Sequence, residues 1–194
     1  RFETERRGLD HLRAYPRDRL VVLYMHFLYN IMLPTKNRRD RHRALALEHA
    51  ADWGDDWFLL GEQAFIATEA GEHAESRTLA ERALTARPEN APAAHAMAHA
   101  LLETGAASEG RDWLGNWLED WGGASTSRCH LTWHLALLEL ADDDSVAAAR
   151  RLDAILDEAN EVFVSSASAW ELSTKARLGK LDGLPDVVRR FVEL

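Results

Sequence analysis

His95 and His99 stand four residues apart, and His130 and His134 repeat that spacing. On a helix, residues four apart share one face. Each pair therefore sets two imidazoles side by side, as borderline-metal sites require. If the two carrier helices are equivalent members of a repeat, the four rings can converge on a divalent metal such as zinc, or on a small ligand. Glu69 and Glu103 would join them from helix ends. No cysteine supports the cluster, and the His-Glu-x-x-His pattern is absent. The competing reading is histidines that pack helical hairpins and are satisfied by hydrogen bonds. Glu69, Glu103 and Trp133 are the candidates to line a ligand groove.

Other chemistry is thinly represented. Cys129 is the single cysteine and adjoins His130. Adjacent helical residues point apart, so a thiolate pair is disfavoured. No glycine-rich phosphate loop and no nucleophile elbow occurs. The basic run Arg38-Arg39-Asp40-Arg41-His42-Arg43 reads as a solvated helix start, with contact to an anionic ligand as the weaker alternative. Trp113, Trp117 and Trp121 fall four apart and line one stripe, which at helical spacing is packing before it is a ligand box.

The elements that would carry these groups repeat. Glu69-Ala70-Gly71 ends one apolar run and Glu103-Thr104-Gly105 ends the next, 34 positions later. A period of that length made of two helical halves is the mark of a helix-turn-helix solenoid. Helices are expected over 57–70, 72–87, 91–102, 109–121, 130–140 and 145–156. Asp55 or Asp56 and Asn90 are candidate N-caps. The run Leu20 to Met32 predicts a buried helix of nearly four turns, with a buried strand as the alternative for its first half, and Arg38 to Ala51 predicts another helix. A polar helical segment over 2–14 and a turn at Tyr15-Pro16-Arg17-Asp18 precede them. Gly122 to Ser127 reads as a loop and Asp142-Asp143-Asp144 as an acidic turn. About four hairpins result between residues 20 and 157.

Composition narrows the classes. The chain has 194 residues, 46% of them apolar, and a formal charge of −9. That balance argues against a general nucleic-acid binder, which would show a basic patch. One cysteine allows no intramolecular disulfide and fits a reducing, cytoplasmic setting. No apolar run is long enough to span a bilayer.

Two resemblances can be placed on these residues. Over about residues 8–157 the chain resembles the tetratricopeptide-repeat protein 38 family. The carriers are Tyr15-Pro16-Arg17-Asp18, Ala64-Phe65, Glu69-Ala70-Gly71, Arg82-Ala83-Leu84, His95-Ala96-Met97-Ala98-His99, Glu103-Thr104-Gly105, Gly110, Trp113-Leu114 and His130 to Leu137. The family is usually longer, so the resemblance implies a C-terminal portion of it. It also implies an all-α, right-handed α-solenoid of tetratricopeptide-like hairpins, and no established activity.

Residues 158–194 look like a piece of a PIN-domain toxin nuclease of the VapC type. The carriers are Val162-Phe163-Val164-Ser165-Ser166-Ala167-Ser168-Ala169-Trp170-Glu171-Leu172, Lys175 and Arg177-Leu178-Gly179-Lys180-Leu181. The resemblance implies a short strand and helix, with Glu171 as one of several metal-holding carboxylates. The family's opening aspartate strand is not recognisable here. One glutamate cannot build the oxygen-rich cage a hard cation needs. The expected state is an inactive remnant joined by a gene fusion or a damaged frame.

The sequence thus predicts a repeat domain over 1–157 and a truncated PIN-like fragment over 158–194. Its expected role is a scaffold whose concave groove binds a protein or peptide, without catalysis. An enzyme using the histidine cluster with a divalent metal is the alternative, and a nuclease remnant the third. Partner identity and oligomeric state are left open.

Overall fold

The computed structural model describes residues 2–29, 37–121 and 126–155. Those residues form nine helices and no strand. They fall into two compact units, Arg1–Thr104 and Gly105–Leu194. The expected strand and helix after residue 158, with Glu171, lie outside the described residues. So do Asn30 to Met32 at the end of the long apolar run.

The first unit holds α1 (Phe2–Ala14), α2 (Arg19–Phe27), α3 (Arg38–Trp53), α4 (Trp57–Ala70), α5 (His73–Ala86) and α6 (Ala91–Glu103). Local chemistry sets most boundaries. Asp18 caps α2 by accepting from the amides of Leu20 and Val21, and its carboxylate meets His11 Nε2 at 2.9 Å. Asp56 caps α4 through the Phe58 amide. Asn90 caps α6 through the Ala93 amide, with Pro92 in the first turn.

Gly71 closes α4 in the left-handed region at φ 79. Its amide reaches Thr68 O at 3.0 Å and the Glu72 amide reaches Ala67 O at 2.9 Å. This pair of bonds is a Schellman ending, and a side chain at that φ costs about 1–2 kcal/mol. Gly105 holds φ 76, one period later.

The period is visible in the helix starts. Trp57 opens α4 and Ala91 opens α6, 34 positions on; His73 opens α5 and Ala107 opens α7 at the same offset. Within the first unit α5 packs between α4 and α6, and α4 also touches α6. Close approach is possible because α6 turns alanines inward: Ala93, Ala94 and Ala96 are fully buried. Extra methylenes there would overpack the contact, typically at about 1–3 kcal/mol.

Below these, α1 packs on α2, and α3 on α4. Their shared core contains Leu12, Val22, Met25, Leu28, Tyr29, Leu45, Trp53 and Leu59. Trp53 Nε1 donates to Pro16 O at 2.8 Å, fixing the 15–18 turn. Arg19 lies over the rings of Trp53, Trp57 and Phe58 and bonds Asp56 at 2.7 Å.

The expectation of a wholly buried helix from Leu20 is corrected here. Leu28 and Tyr29 continue α2 as a buried π-helical turn, whereas one face of α2 is exposed, as described below. A run of consecutive apolar residues carries no periodicity, so it cannot show which face is turned outward.

The second unit holds α7 (Ala107–Asp120), α8 (Thr126–Ala141) and α9 (Ser145–Ile155). Here α8 packs on α7 and on α9. Thr126 and Ser127 belong to α8 rather than to the loop expected there. At its other end Asp143 takes φ 63. The Asp144 amide returns to Glu139 O at 2.9 Å, repeating the ending of α4 with an aspartate in the glycine's place. No described helix is long and apolar enough to cross a membrane.

Candidate functional site

The histidine pairs form as their spacing requires. In the first unit His99 Nε2 lies 3.1 Å from His95 Nε2, with the rings edge-on and 4.6 Å apart. His95 also stacks on Phe65 at 5.7 Å. In the second unit His134 Nε2 lies 3.0 Å from His130 Nε2, again edge-on at 4.6 Å. His134 is buried, whereas His95, His99 and His130 are half-buried. In each pair the two ring nitrogens lie within hydrogen-bond distance, with the donor set by the tautomer.

The groove candidates have diverse settings. Glu69 is partly exposed and meets Arg39 at 3.0 Å. Glu103 is exposed at the end of α6. Trp133 is only 5% exposed. The basic run on α3 answers carboxylates across helices: Arg39 meets Glu69, Arg41 meets Glu5, and Arg43 meets Glu72 and Glu75. In the tryptophan stripe Trp117 and Trp121 stack at 4.9 Å. Burial pushes the Cys129 thiol up from its usual value, which leaves little thiolate at neutral pH.

One pocket of about 70 Å³ opens between α3, α4 and α5, lined by Arg43, Leu47, Gln63, Ile66, Glu72 and Leu79 among others. That is room for about two waters. Small-molecule sites run to hundreds of Å³, so this depression fits no substrate of ordinary size.

Two features escaped sequence reasoning. The first is the outer face of α2. Leu20, Leu23, Tyr24 and Phe27 are 79%, 49%, 46% and 45% exposed, while Val22 and Met25 behind them are buried. The exposed set follows the i, i+3, i+4, i+7 pattern of a helical contact stripe.

The second is a buried triad drawn from three helices. His26 of α2, His42 of α3 and Glu62 of α4 bring one ligand atom each within 4.8 Å of one another. His26 Nδ1 faces Glu62 Oε2 in ion-pair contact, yet neither atom makes a hydrogen bond of proper geometry. The His26 and His42 rings meet edge-on at 4.7 Å. Phe65 packs on His26 at 5.2 Å and Tyr29 stacks on His42 at 5.5 Å. Burial, helped by the neighbouring His26, pushes His42 down to about 3, so it is a neutral imidazole.

Other buried carboxylates have conventional partners. Glu5 accepts from Tyr29 Oη at 2.9 Å and pairs with Arg41. Burial, then the hydrogen bond to Glu5, raises the Tyr29 phenol. Glu139 accepts from Arg151 Nε at 2.5 Å. The signal that could have revealed Glu62 is its placement: it is the one charged residue between Trp57 and Thr68.

No family model, curated protein or solved structure matches the chain.

Proposed function

We propose that this protein is a helical-repeat scaffold that binds another protein through the outer face of α2. The observation that carries the reading is the stripe Leu20, Leu23, Tyr24 and Phe27, four large apolar side chains on one exposed helical face. Isolated apolar residues on a surface are ordinary, whereas a continuous stripe of them is a contact surface. Its spacing suits an amphipathic helix laid alongside. The 34-residue period and the packing of α5 between α4 and α6 support a solenoid of tetratricopeptide type.

The test uses wild type and the double variant Leu23→Glu/Phe27→Glu as baits in lysate of the source cell. Both positions are exposed, so the fold should persist, with stability changed by no more than about 0.5 kcal/mol per site. The expected result is a protein enriched by wild type, lost by the variant, and bound again when both are purified. Identical capture profiles for the two baits would refute the assignment to α2.

A further inference from the structure

We infer that His26, His42 and Glu62 form a binding site for a zinc-class divalent metal ion. Three independent helices deliver the three side chains, and the ligand atoms all lie within 4.8 Å of one another. A tetrahedral zinc with bonds of about 2.0–2.1 Å sets ligand atoms roughly 3.3 Å apart. Two imidazoles and one carboxylate are a borderline donor set that suits zinc ahead of magnesium or calcium, which ask for oxygen.

Burial and charge point the same way. Glu62 is 5% exposed and His42 6%. Glu62 Oε2 and His26 Nδ1 face each other without a hydrogen bond. Glu5 takes tyrosine and arginine donors, and Glu139 takes Arg151 at one of its two oxygens. Glu62 instead looks onto two imidazoles, and a divalent cation between them would satisfy all three groups at once. Phe65 and Tyr29 flank the two rings and hold their planes. Three protein ligands leave a fourth position for water. The half-buried side of the site is at His26, whose side chain is 19% exposed. The ion would tie α2, α3 and α4 together, and so would stabilise the helix that carries the exposed stripe.

The experiment is metal analysis of the full chain, stripped with chelator, loaded with zinc and freed of excess by gel filtration. Variants Glu62→Gln and His42→Ala probe the site, and His95→Ala and His134→Ala probe the two histidine pairs. The expected result is about one zinc per chain in wild type, His95→Ala and His134→Ala, with affinity falling more than ~100-fold in Glu62→Gln and His42→Ala. Zinc should raise the melting temperature of wild type and leave that of Glu62→Gln unchanged. Cobalt loading of wild type provides a readout independent of variant folding: visible bands of a four-coordinate nitrogen and oxygen site are expected. Wild type that retains no zinc and gives only six-coordinate cobalt would overturn the inference. So would a folded Glu62→Gln that keeps its metal, or loss of metal in His95→Ala or His134→Ala.

Discussion

Asn90 bonds to both ends of one repeat. Its side-chain oxygen accepts from the Ala93 amide at 3.3 Å, capping α6. Its side-chain nitrogen donates to Trp57 O at 2.9 Å, in the first turn of α4. The residue is 4% exposed, so neither bond can be exchanged for water.

Asn90→Ala should therefore cost more than a cap. Losing the cap alone costs about 1 kcal/mol, and losing the second hydrogen bond, to the Trp57 carbonyl, adds about 0.5–1.5 kcal/mol. Asn90→Asp separates the two roles. Aspartate is as good a cap, but its carboxylate would face the Trp57 carbonyl with no proton to donate. Urea denaturation should show Asn90→Asp destabilised by more than about 1 kcal/mol. A near-neutral Asn90→Asp would reduce the residue to its capping role.

Gly61 of α4 is coupled to the same side chain. A Cβ at Gly61 would sit 3.0 Å from Asn90 Nδ2, whereas one at Gly115 of α7 would meet nothing within 4 Å. Replacing a mid-helix glycine by alanine usually stabilises by about 0.5–1 kcal/mol. Gly115→Ala should show that gain, and Gly61→Ala should not. In an Asn90→Ala background Gly61→Ala should recover it. A double-mutant cycle measures the coupling, and a coupling near zero would contradict the contact.

His42 predicts a pH dependence in metal-free protein. Its proton affinity falls from 6.5 in the ordinary state to about 3 in the fold. His26 of α2 and Glu62 of α4 face it, and Tyr29 stacks on it. Between those two values the unfolded chain binds the proton and the folded chain does not. The stabilisation is therefore complete above pH 6.5 and is lost as pH falls toward 3, by about 1.4 kcal/mol per unit. The window from about pH 6.5 to 5 lies above most carboxylate titrations. Denaturation in chelator across it should show the slope in wild type and a shallower one in His42→Gln. Equal slopes would place the titration elsewhere.

Much of the fold was legible where local chemistry sets a boundary. The span 57–70 follows from Asp56 and Gly71, and the 34-residue period follows from reading that pair against Asn90 and Gly105. The same four-residue spacing that paired His95 with His99 does pair them. What was not legible required a third dimension. From Leu20 to Met25 the run is apolar on every face, so that stretch carries no sign of which side lies exposed. His26, His42 and Glu62 come from three helices separated by connections of different length. No motif spans them, and only packing brings them together. A glutamate within one apolar helix and a histidine within another apolar run were the available hints.

The bond between Asn90 and Trp57 makes chain length itself a constrained quantity. Its partners are 33 residues apart, and every intervening helical residue contributes a rotation of about 100°. A single residue inserted within α4 or α5 would turn everything after it to the wrong azimuth. A residue inserted among Arg87, Pro88 and Glu89, outside both helices, could bulge outward with the bond intact. Natural length variation in this protein should accordingly be written in whole repeats or confined to such corners, so that the helix interiors change by substitution and the turns by insertion.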